Sequence, residues 1–323
     1  MHDARFDHKQ FGCTREDQAV PNDQSLQYLR LPIEKDARLK QAYDSSEIVR
    51  VQDYLENRFP ALKGTFRVTS LPSLDWELVP PEDVDTPPPA VDHYVIAVEV
   101  LASALSQFHH EIIAAEGESA VGADLSAGTG EYWCPLSVDQ ALFGNRQQSR
   151  DLIHVEVLNQ SNPPLRGGHV NVVVVDHGLD KRFVTNFRGG WKHRNPYKHA
   201  QVHFPGMTVG DESAHGRMMV RNIQDAAPDA NIWDLPLIPP RIWDIRVFIN
   251  DAQAAFDRML KSIQHLSAYP RWNGPWVLVN PWAIFDRRSE RPPGNYTARL
   301  THPFNQTITD AIGQGRDVIF CAG

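Results

Sequence analysis

Residues 168–180 read Gly-His-Val-Asn-Val-Val-Val-Val-Asp-His-Gly-Leu-Asp, and this segment decides the fold. Four consecutive valines are too few to span a membrane, but they suit a strand that is buried on both faces of a parallel sheet. Asp176 follows the last valine and Gly178 permits a sharp turn, so we expect Asp176 at the carboxyl end of the strand. Because ligands bind at that edge of open α/β sheets, the segment predicts an α/β fold with a mostly parallel central sheet and a functional carboxylate.

Composition and charge exclude several classes of protein. The chain has 323 residues, of which 41% are hydrophobic and 22% are charged, which is typical of a globular protein that buries a core. The formal net charge is -8, so we expect no nucleic-acid partner. The sequence shows neither a signal peptide nor a membrane-spanning run, which makes the cytoplasm the default location. Cys13, Cys134 and Cys321 lack metal-type spacing and are expected to be reduced thiols.

Residues 1–165 predict an N-terminal region of mixed α and β character. Its first 25 residues are polar and show no sustained period, which indicates an extended lead-in. Apolar residues at helical spacing then predict an amphipathic helix with Ser45 or Ser46 as its cap and Pro60 at its end.

The rest of this region predicts strands, a linker and a second helix. Short strands are expected in residues 65–79, interrupted at Pro72. Five prolines in residues 80–90 indicate a stiff surface connection. His93–Ala102 fits either a strand, because of its β-branched residues, or the start of a helix, and the helix is favoured from about Val98 to Glu116. A glycine-rich loop follows in residues 117–130 and lacks the ending of a phosphate-binding loop.

Residues 166–323 predict alternating strands and helices. After the valine strand, Ser213 is expected to cap a helix with His215 in its first turn. Gly216 lowers helix stability by roughly 1 kcal/mol relative to alanine, so it indicates a place where another group approaches closely. The later elements are expected to be a helix capped by Asn250, a strand Trp276–Asn280, a helix Asn305–Gln314 and a strand that begins at Asp317.

The order of these motifs resembles the first half of the catalytic domain of subtilisin-like serine proteases. The strand that ends in Asp176-His177-Gly178 is similar to their Asp-Thr-Gly or Asp-Ser-Gly motif. His215-Gly216, followed by a helix and Ala-Pro-Asp-Ala-Asn-Ile, is similar to their histidine motif. The remaining matches are Asn280, at the end of a strand that pairs with substrate in that family, and Cys321-Ala322-Gly323, which is similar to the start of Ala-Ala-Gly-Asn.

Three positions depart from the family pattern. His177 replaces threonine or serine, Arg217-Met218 replaces Thr-His, and Pro281-Trp282 replaces small residues beside the substrate-pairing strand. Trp282 is an alternative wall for a specificity pocket.

The resemblance implies a subtilisin-like three-layer fold, incomplete over residues 166–323, and a serine-type endopeptidase that acts on polypeptides. It implies Asp176 as the residue that orients the histidine and His215 as the general acid and base of an Asp-His-Ser triad. The chain stops one residue before the oxyanion-binding asparagine would come, and no serine motif precedes that point. We therefore expect the 323 residues alone to be inactive, and residues 1–165 to be a propeptide-like or accessory region. The resemblance implies calcium as a stabilising ion, but no acidic loop of this sequence is specific enough to name its ligands, and the sequence itself identifies no cofactor.

The sequence also permits three other interpretations. One is a catalytically inactive subtilisin-like domain that binds or regulates a partner. Another is an α/β-hydrolase with Ser119 as nucleophile, although Gly117-Glu118-Ser119-Ala120-Val121 lacks the second glycine of the Gly-x-Ser-x-Gly motif. The last is a metal site formed by Asp176, His177 and His215, which adjacent ligands make geometrically awkward.

Overall fold

The computed structural model describes residues 24–32, 37–82, 84, 93–117, 120, 150–151, 153–193, 204–208, 214–238, 245–282 and 300–320. Within these ranges the strands are β1 (Gln24–Pro32), β2 (Phe66–Ser70), β3 (Trp76–Val79), β4 (His93–Leu101), β5 (Asn171–Asp176), β6 (Phe187–His193), β7 (Asn231–Pro236), β8 (Trp276–Asn280) and β9 (Asp317–Phe320). The helices are α1 (Ala37–Asp44), α2 (Ile48–Arg58), α3 (Leu105–Glu116), α4 (Val155–Asn159), α5 (Ala214–Ala226), α6 (Ile245–Leu266) and α7 (Pro303–Gly313).

A six-stranded sheet in the order β3-β6-β7-β5-β8-β9 forms the larger layer of the molecule. Five neighbouring strands of this sheet are parallel: β6, β7, β5, β8 and β9. The remaining strand, β3, pairs antiparallel with β6 at the edge. Every residue of β5 is buried, as expected for a strand between parallel neighbours that are themselves covered by helices. The predicted α/β class with a mostly parallel sheet is therefore confirmed.

Helices cover both faces of this sheet. The valines of β5 point alternately to opposite sides, so both faces are apolar and are buried by packing. Val172 and Val174 pack with Val220 of α5. Val173 and Val175 pack on the other side, in the core that contains the apolar face of α6.

Residues before the valine strand form a three-stranded antiparallel sheet in the order β1-β4-β2. One face of this sheet packs with α1, α2 and α3. The other face contributes Tyr28, Val95 and Ala97 to the same core as α6. Together with β3, which pairs with β6, this sheet joins the N-terminal region to the larger layer.

The prediction of a helix from Val98 was wrong, because β4 continues to Leu101 and α3 begins at Leu105. Pairing on both sides decided this: Val98 lies opposite Gln27 of β1 and Val68 of β2. Such pairing is non-local and overrides the helix-like spacing of the sequence.

Two predicted helix caps were also wrong. The residue at the cap of α2 is Glu47, which makes no side-chain cap bond. The hydroxyl of Ser45 accepts the N–H of Glu47 at 3.3 Å, before the helix begins, and donates to the carbonyl oxygen of Ala42 at 2.6 Å. Asn250 lies inside α6 and is buried, because the helix begins at Ile245, one turn earlier than the polar pattern indicated.

Other boundaries agree with the sequence. Pro60–Leu62 and Pro72–Leu74 form short 3₁₀ turns that end α2 and separate β2 from β3. The strand Trp276–Asn280 is confirmed, and the predicted helix Asn305–Gln314 is found as α7. None of the described helices combines the length and the apolar composition of a membrane span. The following predictions lie outside the described residues: the lead-in before Gln24, most of the proline-rich linker and glycine-rich loop, the cap Ser213, and the three cysteines.

Candidate active site

Asp176 is the last residue of β5, at the carboxyl end of the strand as predicted. Its carboxylate is completely buried. The backbone N–H of His177 donates to Oδ1 of Asp176 at 2.7 Å. Buried carboxylates are retained where they are hydrogen-bonded or paired with a cation, and the second partner of this one comes from α5.

His215 is the second residue of α5, and it contacts Asp176. Its Nδ1 lies 2.7 Å from Oδ2 and 3.0 Å from Oδ1 of Asp176. A carboxylate only accepts hydrogen bonds, so Nδ1 is the nitrogen that holds the proton. The His215 side chain is 20% exposed, and its Nε2 lies on the side of the ring that faces away from Asp176.

The environment of His215 favours its charged form. Burial lowers the pKa of His215, but the hydrogen bond and the negative charge of Asp176 together raise it by more, so the pKa lies above the usual value of 6.5. A histidine oriented by a carboxylate in this way can accept a proton and return it within one reaction cycle.

Gly216 allows α5 to sit against the turn that follows Asp176. A Cβ atom at this position would lie 2.5 Å from the carbonyl oxygen of Gly178 and 3.0 Å from the Leu179 side chain. Real Cβ atoms do not approach a backbone oxygen that closely, so the contact requires glycine. The close approach predicted from the sequence is therefore observed, and its partner is the backbone of the aspartate turn.

Sequence reasoning missed Asp234, a second buried carboxylate near this site. Asp234 lies in β7 and is completely buried. Its Oδ2 accepts the backbone N–H groups of Leu179 at 3.1 Å and Gly206 at 2.7 Å. Burial raises the pKa of Asp234 to about 7 in spite of these two bonds. The available signal was a lone carboxylate inside the apolar strand Ile-Trp-Asp-Leu.

His177 is oriented by the backbone beyond β7. Its Nδ1 lies 3.1 Å from the carbonyl oxygen of Ile238 and donates to it. The rings of His177 and His215 are 6.4 Å apart at their centroids and nearly perpendicular. In the part of the chain that the structure describes, no group of three or more His, Cys, Asp or Glu residues is placed to hold a metal ion.

A cation and an aromatic ring lie at the rim of the site. The guanidinium of Arg217 is 5.1 Å from the ring centroid of Phe183, whose side chain is 58% exposed. Asp180, in the same region, forms an ion pair with Arg182 at 2.6 Å. Arg217 therefore packs on the exposed ring of Phe183.

Asn280 and Trp282 have structural contacts. The side-chain amide of Asn280 donates to the carbonyl oxygens of Leu278 at 3.1 Å and Ile319 at 3.2 Å, which ties β8 to β9. Trp282 is buried against Phe248, Phe304 and Phe320. The ring of Trp282 thus packs in the core. These contacts do not support the alternative in which Trp282 walls a specificity pocket.

The nucleophile proposed for an α/β-hydrolase, Ser119, lies outside the described residues. No protein-family model matches this sequence, and no curated protein is significantly similar to it.

Proposed function

We propose that this chain supplies the aspartate and the histidine of an Asp-His-Ser triad, and that the complete protein is a serine-type endopeptidase of subtilisin-like fold. The observation that supports the proposal is the 2.7 Å contact between Nδ1 of His215 and Oδ2 of Asp176. This contact lies at the carboxyl edge of a mostly parallel sheet, where α/β proteins place their chemistry. The two residues also follow each other in the chain order of the resembled family.

The proposed reaction assigns a step to each residue. Nε2 of His215 accepts the proton of a serine hydroxyl as the serine oxygen attacks the scissile carbonyl carbon of a polypeptide. Asp176 holds the Nδ1 proton in place and stabilises the imidazolium that results. His215 then donates the proton to the leaving amine, and the acyl-enzyme is hydrolysed by water in a second, equivalent cycle.

In this proposal the serine and the oxyanion-binding asparagine belong to segments outside the 323 residues. Each proposed step is carried by a protein group or by water.

The test uses the protein encoded by the complete gene. We expect a fluorophosphonate probe to label one serine and casein to be hydrolysed. His215→Ala is expected to lower kcat by roughly 10⁵- to 10⁶-fold and Asp176→Asn by about 10⁴-fold, which are typical losses for such triads. Asp229→Asn is the matched control, because Asp229 is an exposed carboxylate paired with Arg166. Absence of a labelled serine, or hydrolysis that survives His215→Ala, would overturn the proposal.

A catalytically inactive subtilisin-like domain that binds a partner is the second candidate. The observation in its favour is the rim cluster of Arg217 on the exposed ring of Phe183, since exposed aromatic and arginine side chains are typical of interfaces. A complete protein that folds, lacks a reactive serine and binds a polypeptide without cleaving it would establish this candidate.

A further inference from the structure

The carboxylate of Asp234 joins two separate chain segments beside the Asp176–His215 pair. Asp234 of β7 lies opposite Val174 of β5 in the parallel sheet. Val174 is two residues before Asp176, the last residue of β5. Its Oδ2 accepts the N–H of Leu179, in the turn after Asp176, and the N–H of Gly206, in the segment 204–208. One buried oxygen therefore holds both segments to the central sheet.

The two segments are also bonded to each other. The N–H of Thr208 donates to the carbonyl oxygen of Leu179 at 3.0 Å, and the N–H of Lys181 donates to the carbonyl oxygen of Gly206 at 2.9 Å. These bonds leave the N–H groups of Leu179 and Gly206 directed at Asp234. Without the carboxylate, both donors would be buried with no acceptor, which is costly in a protein interior.

The aspartate turn in turn sets the position of the helix that holds His215. The carbonyl oxygen of Gly178 and the side chain of Leu179 are the groups nearest to Gly216, the residue after His215. A displacement of Leu179 would therefore move the surface on which the first turn of α5 rests. The path from Asp234 to His215 consists of one hydrogen bond and one close packing contact.

We propose that Asp234 is a positioning residue for the Asp176–His215 pair, acting through the N–H of Leu179 and the contact of Gly178 with Gly216. The catalytic meaning of this role rests on the proposed function, whereas the positioning itself does not. Protonation of Asp234 is compatible with this role. Burial, and to a smaller extent the charge of Asp176, raises the pKa of Asp234. Among the described residues its Oδ1 has no hydrogen-bond partner, so a proton can reside there while Oδ2 continues to accept both N–H groups.

The experiment measures the imidazole of His215 by NMR in the 323-residue chain, which requires no hydrolysis. Asp234→Asn keeps an oxygen acceptor, and Asp234→Ala removes it. We expect Asp234→Ala to lower the pKa of His215 by at least about half a unit, a roughly threefold change in the ratio of imidazolium to imidazole. Its Nδ1 proton is also expected to exchange faster with water. Asp234→Asn should retain most of the wild-type behaviour, and Asp229→Ala, in an exposed pair with Arg166, should retain all of it.

A purely structural role predicts a different result. It would lower the melting temperature of Asp234→Ala while the pKa and the Nδ1 proton of His215 stay at their wild-type values, and that outcome overturns the proposal. If Asp234→Ala does not fold, Asp234→Ser decides, because its side chain is too short to accept both N–H groups. Amide exchange at Leu179 and Gly206 should then accelerate together with a lower pKa of His215, and faster exchange with an unchanged pKa overturns the proposal. Failure of the proposed function would appear separately, as a complete protein without hydrolysis.

Discussion

Oδ2 of Asp176 lies 2.7 Å from Nδ1 of His215, although 39 residues separate the two in the chain. Asp176 ends the central strand and is completely buried, whereas His215 begins a helix and remains partly exposed. The pair therefore has one member shielded from water and one member open to it. This asymmetry allows a buried carboxylate to act on a histidine that remains partly open to solvent.

Replacing Asp176 with asparagine should lower the pKa of His215. The bond and charge of Asp176 raise this pKa, and burial, which lowers it, remains in the variant. In the wild type the raised pKa contributes stability that is present below pH 6.5 and is lost as pH rises through the folded pKa. The loss of unfolding free energy in Asp176→Asn should therefore be larger at pH 5.5 than at pH 8.5, as measured by urea denaturation.

Asp180→Asn is the control for that variant, because Asp180 is paired with Arg182 and does not bond His215. Its NMR titration of His215 should match the wild type. A pKa of His215 that falls equally in both variants would contradict a specific role of Asp176.

Gly216→Ala should destabilise the protein in spite of the better helix propensity of alanine. The added Cβ would lie 2.5 Å from the carbonyl oxygen of Gly178, so α5 or the aspartate turn has to shift. Gly313→Ala is the matched control, because Gly313 is also helical and a Cβ there would meet nothing within 4 Å. The control should be neutral or gain up to about 1 kcal/mol, whereas overpacking typically costs about 1–3 kcal/mol. Equal unfolding midpoints in urea for the two variants would refute the close contact.

Arg30→Met should be strongly destabilising because it leaves a buried carboxylate without its cation. Arg30 of β1 is 7% exposed and lies 3.6 Å from Asp257 of α6. Burial raises the pKa of Asp257, and the charge of Arg30 offsets part of that rise. Breaking such a pair typically costs about 3–5 kcal/mol. Arg67→Met, in a pair whose arginine is 74% exposed, should cost less than about 1 kcal/mol.

The double variant Arg30→Met/Asp257→Asn completes the comparison for this contact. It should recover part of the unfolding free energy lost in Arg30→Met, because no unpaired charge remains. A single-variant loss no larger than that of Arg67→Met would show that β1 is not held to α6 by this pair, and would favour an N-terminal region that separates readily.

Asp234 should make the wild type less stable as pH rises from about 4 to about 7. Its pKa is raised from 3.8 to about 7 in the folded protein, so the folded state binds the proton more tightly than the unfolded chain over that interval. About three pKa units correspond to on the order of 4 kcal/mol. In urea denaturation, the free energy of unfolding of Asp234→Asn, relative to that of the wild type, should therefore be higher at pH 8 than at pH 4.5.

Asp229→Asn should behave in the opposite sense. The hydrogen bond from Arg166 holds the pKa of Asp229 below its usual value, so wild-type stability from this group is present above that range and is lost as pH falls. For the Asp234 prediction, the contradicting outcome is a difference in unfolding free energy between wild type and Asp234→Asn that is the same at pH 4.5 and at pH 8. Asp234 would then not titrate in the neutral range.

Local sequence patterns predicted the elements that hold the candidate pair. The valine run predicted β5 and the place of Asp176 at its end, and Gly216 indicated a close contact beside His215. Both predictions depend on neighbours within a few residues. Burial pattern and helix propensity can be inferred from the sequence over that short range. The catalytic roles of the two residues remain predictions.

Non-local pairing explains what the sequence did not reveal. Val98–Leu101 is strand because β1 and β2 lie on either side of it, and no property of the segment itself announces those partners. Asp234 resembles any isolated carboxylate in an apolar run until the N–H groups of Leu179 and Gly206, 55 and 28 residues away, are seen to converge on it.

The sequence by itself determined a buried parallel strand with a carboxylate at its end, and a helix that begins with a histidine and a glycine. Only the tertiary structure decided that these ends meet, that the glycine faces the carbonyl oxygen of Gly178, and that Asp234 holds the intervening turn. The physical reason is that strand and helix patterns arise from periodic burial along the chain, whereas these contacts arise from α5 and β7 packing beside β5 across tens of residues.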